Sequence, residues 1–182
     1  MTRELAFLRP RSIAEATALL AEHGDEAKVV AGSTALTIML RNRLIDPGVL
    51  VSIGQIPGLR EIGAAGGLLR LGALATHRDV ERDATVARVL PVVAETFGVV
   101  ANVRVRNAAT VGGVMAEADY ASDPPAIFLG LDAVVVAEGP AGVRRIPARD
   151  FFVAFYETSL AADEIVTGVE VPIPAAGTGA VY

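Results

Sequence analysis

Two glycine-bearing segments carry the chemistry this chain could do: Val30-Ala31-Gly32-Ser33-Thr34-Ala35-Leu36 and Ala109-Thr110-Val111-Gly112-Gly113. Each follows an apolar stretch and opens towards a helix or loop. Successive free backbone N–H groups at such a turn or helix start bind anions. Two of them in one small chain point to a ligand with two phosphates held from two sides. A branched side chain at Gly112 or Gly113 is then expected to block that ligand with little loss of fold. Ser122-Asp123-Pro124-Pro125 supplies a carboxylate a short distance downstream. Neither segment is a Walker P-loop, because no Gly-Lys-Ser/Thr follows, and neither fits G-x-G-x-x-G.

Residues that do acid–base or nucleophilic work are thin. His23 reads as a helix-end residue that favours the dipole before Gly24. His77 reads as a structural or surface residue at a helix start. Two histidines so far apart make no metal motif. Ser12, Ser33 and Ser122 lack a G-x-S-x-G elbow. Asp123 has a second reading, as an acidic residue favouring a helix N-terminus. Arg104, Arg106 and Asn107 read as a solvated strand end, and Arg41, Arg43, Arg144 and Arg145 as solvated faces. A phosphate cradle with so little catalytic apparatus suits a protein whose chemistry belongs to a bound cofactor.

The 182 residues are 52% hydrophobic and 20% charged, which suits one compact domain or two small lobes. Net charge is -5 with no long basic run, so nucleic acid is not an expected partner. There are no cysteines, hence no disulfide and no Cys-held zinc or iron–sulfur cluster in these residues. No stretch approaches the roughly 20 apolar residues of a membrane helix. Leu5-Ala6-Phe7-Leu8 is too short an apolar run for a signal peptide. The composition is compatible with a cytoplasmic setting.

The elements that must position the glycines follow from pattern. Ser12 and Glu15 form a capping-box signature for a helix that Gly24 stops. Lys28–Ala31 and Val49–Ile53 are strands joined by a helix running from Ser33 or Thr34 to about Arg43. This is a βαβ unit with parallel strands. Beyond Pro57, Gly63, Gly66, Gly67 and Gly72 break up short strands and predict antiparallel hairpins. Thr76 and Asp79 form a second capping-box signature. Helices are expected from Pro91 to Phe97, stopped by Gly98, and from Asp123 to Leu131. Further strands are expected at 133–137, 143–146 and 165–171. The expected division is a small α/β lobe over residues 1–54 and a larger α+β lobe over residues 55–182.

Several of these segments occur in a telling order: Arg9-Pro10, the 30–36 segment, Gly72-Ala73, Arg106-Asn107-Ala108-Ala109-Thr110-Val111-Gly112-Gly113, Ser122-Asp123, and Leu160 to Ile165. Together they resemble the FAD-binding medium subunit of molybdenum hydroxylases, of the xanthine dehydrogenase and aerobic carbon monoxide dehydrogenase type. The resemblance covers essentially the whole chain. It implies an α+β, two-lobed FAD-binding fold with the dinucleotide between the lobes. Ala31, Gly32, Ser33, Thr34, Ala35 and Leu36 would present backbone N–H groups to the pyrophosphate. Thr110, Val111, Gly112, Gly113 and Val114 would line the other side. Asp123 would accept from FAD hydroxyls. Leu160 and Tyr182 would lie near the flavin.

The resemblance further implies an electron-transfer role in an oxidoreductase. A molybdenum-cofactor large subunit and an iron–sulfur small subunit would be the partners. FAD would pass their electrons to an external acceptor, and the isolated chain would not turn over substrate. Rival readings are a stand-alone flavoenzyme of the same fold and a flavin-free interaction subunit. The sequence departs from the family pattern at four places. Ser33 replaces a common glycine, which is acceptable where φ is negative. Val114 replaces a common Asn, and Tyr120 a common Pro. The sequence stops at Tyr182, so the family's small C-terminal domain is expected to be absent.

Overall fold

The computed structural model describes residues 5–119, 121–175, 177 and 178. Tyr120 and Tyr182 lie outside them. The first part of the chain builds a small parallel sheet. In order come β1 (Ala6–Leu8), α1 (Ile13–His23), β2 (Ala27–Val30), α2 (Thr34–Arg41) and β3 (Val49–Ser52). The strand order is β1-β3-β2, with β3 parallel to both neighbours. The β2–α2–β3 unit is therefore as expected. β1 is an addition: its three residues pair only with β3, too few to show a period. Helix α2 stops at Arg41, two residues earlier than expected.

Local chemistry explains α1. The Ser12 hydroxyl accepts from the Glu15 amide at 3.1 Å. The Glu15 carboxylate accepts from Arg11 N–H at 2.8 Å, one residue before the cap. At the other end Gly24 takes φ 51, which a glycine adopts without a Cβ clash.

The rest of the chain continues with β4 (Ile62–Ala65), β5 (Leu68–Gly72), α3 (His77–Arg82), α4 (Ala84–Val89) and α5 (Pro91–Val99). Then follow α6 (Val103–Arg106), α7 (Val111–Glu117), α8 (Asp123–Gly130), β6 (Val134–Gly139) and β7 (Gly142–Pro147). The last elements are α9 (Ala148–Phe151), β8 (Phe152–Ala154), β9 (Glu157–Thr158) and β10 (Ile165–Pro172). β4, β5, β10, β6 and β7 form an antiparallel sheet in that order. The β4–β5 hairpin is the expected one. Thr76 and Asp79 make both bonds of a capping box, at 2.9 and 3.0 Å.

Leu69, Leu71, Val135, Val169 and Val171 on the large sheet pack under Phe97, Phe128 and Phe151. The smaller core gathers Leu20, Val49, Val51 and Ile53, but also Leu74 and Ile165 from beyond Gly54. On the large sheet Glu170 sits between two cations. Arg70 Nε is 3.2 Å from one carboxylate oxygen, and Arg145 binds the other.

A seam within the second part meets the first part at Gly32. Residues 73–77 run beside residues 109–112. Gly112 N–H donates to Ala73 O at 2.8 Å, Val111 N–H to Ala75 O at 2.9 Å, and His77 N–H to Ala109 O at 2.9 Å. Two glycines let this seam close. A Cβ on Gly112 would stand 2.6 Å from Ala73 Cβ, and one on Gly32 only 2.0 Å from the Ala108 carbonyl oxygen. The expectation that a branched residue at Gly112 would spare the fold is therefore corrected. Gly112 is packed against protein, and a larger side chain there separates the seam.

Gly32→Ala is expected to destabilise the fold by roughly 1–3 kcal/mol or more, because the clashing atom is backbone and cannot rotate away. Gly63, where a Cβ meets nothing within 4 Å, is the control, and Gly63→Ala should change little. Urea denaturation of both variants measures the difference.

Candidate cofactor site

The two glycine segments face each other across a cleft of ≈ 540 Å³, a volume in the range of small-molecule sites. Ala31 to Leu36 line one wall. Thr110, Gly112, Gly113 and Val114 line the other, and Leu160 also reaches the cleft. Val111 does not; it is fully buried in the larger core. Asp123 is half-buried at the first turn of α8, next to the cleft-lining Ser122. Tyr182 falls outside the described residues.

The two helix starts differ in what they offer an anion. Ser33, at the N-cap of α2, has φ 61 and ψ 14. The negative φ on which a serine was acceptable there is not what the chain adopts. The left-handed backbone costs a non-glycine residue roughly 1–2 kcal/mol. It also takes Ser33 out of the extended conformation from which an N-cap side chain reaches the next turn, and Ser33 makes no capping bond. The amides of Thr34, Ala35 and Leu36 consequently have no acceptor among the described residues; the first bond of α2 is Thr37 N–H to Ser33 O at 3.0 Å. These three N–H groups stand open at the positive end of the helix dipole, in the cleft wall.

Helix α7 starts closed. Thr110 is extended, φ -118, and its hydroxyl accepts from Gly113 N–H at 3.2 Å. Val111 and Gly112 donate to the seam carbonyls. All three first-turn amides are engaged, so unpaired first-turn N–H groups stand on one side of the cleft and not on the expected two. The second segment contributes shape: Gly112 and Gly113 keep that wall low.

Three charged residues line the walls beyond the sequence candidates: Lys28, Glu117 and Glu164. Glu164 is paired with Arg144 at 2.6 Å; burial works to raise its pKa, but Arg144 and the Ala161 amide outweigh this and hold it low. Burial, with the nearby Asp119 charge, pushes Glu117 up. His77 also belongs to this wall and is 2% exposed. Its ring meets Phe97 edge-on, with centroids 4.8 Å apart. Neither ring nitrogen has a well-formed hydrogen bond. Burial lowers its pKa to about 4; the Thr110 backbone works the other way, and Arg106 adds to the lowering.

Arg106 is not at a solvated strand end. It closes helix α6, its Nε 3.0 Å from Glu81, while Nη1 donates to the carbonyls of Val100 and Ala101 at 3.2 and 3.0 Å. Burial favours a neutral Glu81, but Arg78 and Arg106 together hold its carboxyl below the ordinary range. The pairing fixes α6, and α6 delivers the Ala108 carbonyl to Gly32.

A family model described as the FAD binding domain in molybdopterin dehydrogenase matches residues 3–174. The chain belongs to this family. The carbon monoxide dehydrogenase medium chain of Hydrogenophaga pseudoflava is 38% identical over 173 residues, 95% of this chain and 60% of that protein. The 6-hydroxypseudooxynicotine dehydrogenase complex subunit alpha of Paenarthrobacter nicotinovorans is 35% identical over 171 residues, 94% of this chain and 58% of that one. The solved carbon monoxide dehydrogenase from Hydrogenophaga pseudoflava that lacks the Mo-pyranopterin moiety superposes with a TM-score of 0.94 at 36% identity. That match covers 97% of this chain and 62% of the other. The chain thus spans about three fifths of the relatives it matches. The mixed α+β fold expected from the sequence is the fold of this family.

The seam histidine gives the family fold a pH-dependent stability. Between pH 6.5 and pH 4 the unfolded chain protonates its histidine while folded His77 stays neutral, so stability falls as pH falls. Between pH 7 and pH 5 the loss from this group is about 2 kcal/mol. His77→Leu should remove that part of the slope in urea titrations at the two pH values.

Proposed function

We propose that this chain is the FAD-carrying, electron-transferring part of a multi-subunit, molybdenum-dependent oxidoreductase. The observation that carries the reading is the open start of α2 facing the cleft, in a member of an FAD-binding domain family. A diphosphate needs fixed donors and a backbone that approaches closely. Thr34, Ala35 and Leu36 supply the donors, and Gly32 keeps Ala31 to Leu36 seated against Ala108.

When bound, the flavin supplies the redox chemistry; the chain's residues bind it, orient it and shield it from water. In this reading Ala31–Leu36 hold the pyrophosphate, while Thr110–Val114 and Leu160 shape the facing wall. Asp123 accepts from a hydroxyl beside Ser122, and Tyr182 lies near the ring. The two parts of the chain, divided near Gly54, act as the two lobes of the site. A molybdenum-cofactor large subunit and an iron–sulfur small subunit deliver electrons, and an external acceptor removes them, in the cytoplasm. Relatives described as medium chains and as subunits of dehydrogenases support this assembly. The absence of cysteine from these residues suits clusters carried on another chain. Among the described residues no helix is long and apolar enough to cross a membrane, and no group of acidic or histidine side chains could hold a metal.

Titration with FAD, followed by flavin fluorescence, should saturate; no saturable change at high micromolar FAD overturns the reading. Asp123→Ala is expected to weaken FAD binding about ten- to a hundredfold, the effect of losing a hydrogen bond of roughly 1.5–3 kcal/mol to a charged group. Without partner subunits, the chain should oxidise neither purines, aldehydes nor carbon monoxide. Turnover at ordinary enzyme rates in that assay would instead favour a stand-alone flavoenzyme.

A further inference from the structure

The cleft presents one carboxylate with no partner. Glu117 is the last residue of α7, half-buried, and its side chain makes no hydrogen bond or ion pair among the described residues. The other acidic wall residue, Glu164, is neutralised by Arg144. Glu117 has only a like charge near it, Asp119. An unpaired carboxylate in a half-buried wall is costly unless a ligand completes it.

Its position limits what that ligand group can be. Along α7, Glu117 lies about 10 Å from the Thr110 cap, at 1.5 Å per residue. The open amides that suit phosphate are on the other wall, at Thr34–Leu36. A carboxylate repels phosphate, so the group it meets must be a donor. Carboxylates in dinucleotide sites commonly take hydroxyls of the sugar.

We propose that Glu117 is a cofactor-binding residue: its carboxylate accepts a hydrogen bond from a polyol hydroxyl of the bound dinucleotide. The inference rests on the FAD reading above. The hydroxyl has two sources, the ribityl chain of the flavin half and the ribose of the adenosine half. Binding of FAD, riboflavin and ADP to the chain and to Glu117→Ala separates them.

The Ala variant should bind FAD about tenfold or more weakly. The loss should be shared by riboflavin alone if the ribityl chain is the partner, and by ADP alone if the ribose is. Glu117→Gln keeps the side-chain length and a carbonyl acceptor, so it should lose less than Ala. It also carries the test if the Ala variant melts early. FAD affinity unchanged or tightened in both folded variants overturns the proposal, and tightening would mark Glu117 as a repulsive neighbour of the phosphates. A chain that fails to bind FAD at all, before any substitution, removes the FAD reading and this inference with it.

Discussion

The structure depends on a contact that tolerates no side chain: the Gly32 Cα against the Ala108 carbonyl. Around it lie the seam bonds of residues 73–77 with 109–112. These bonds consume the amides that begin α7, while the Gly32–Ala108 contact brings the two glycine segments to one cleft. The seam also explains why the walls behave differently. The wall that belongs to the large sheet is built from satisfied backbone. The wall that belongs to the small sheet ends in a strained serine and three open amides. Strain and unmet donors gather where a ligand can repay them, which is the pattern of functional sites.

Electrostatics arrange the same region at longer range. Arg106 is held by Glu81 and by two carbonyls of the α5–α6 connection. Its charge disfavours a second cation at His77, which burial already keeps neutral. The seam therefore contains a polar ring without a charge, and the cation beside it is pinned by a carboxylate. Lys28 lines the cleft from β2, the strand that leads to the open helix start. Positive potential is thus concentrated on the side of α2, through Lys28 and the helix dipole.

Local signals were legible in the sequence. The Ser12 cap of α1, the capping box of α3 and the β4–β5 hairpin rest on residues within a few positions of one another, so their chemistry is complete in a short window. The order of the glycine and Ser-Asp segments was enough to place the chain in its family. What stayed hidden depends on distant partners. β1 is three residues long and exists only because β3 accepts it as a parallel neighbour. Arg106 reads as solvated because Glu81 lies 25 positions upstream. Whether a helix start is open or closed was also invisible. Thr110 and Ser33 are both small hydroxyl residues before a helix. Only the backbone angle of one, and the carbonyls of Ala73 and Ala75 beside the other, separate an open helix start from a packed joint.

That distinction changes how the Gly-Gly pair should be understood. In the sequence it resembles the Gly-Ser pair, and both suggest phosphate. In the fold, Gly112 answers to Ala73 and Gly113 to the Thr110 hydroxyl, so the pair is first a device for close packing. Its value to a ligand is indirect. By letting α7 sit tightly on the seam, it fixes the height of the facing wall, and it sets where the far end of that helix, and Glu117 with it, enters the cleft. The open donors of α2 and the free acceptor of α7 are then held apart by backbone contacts that allow no Cβ, not by flexible side chains. In the proposed FAD reading, the open donors take the anionic middle of the dinucleotide and the free acceptor takes a hydroxyl on one of its arms.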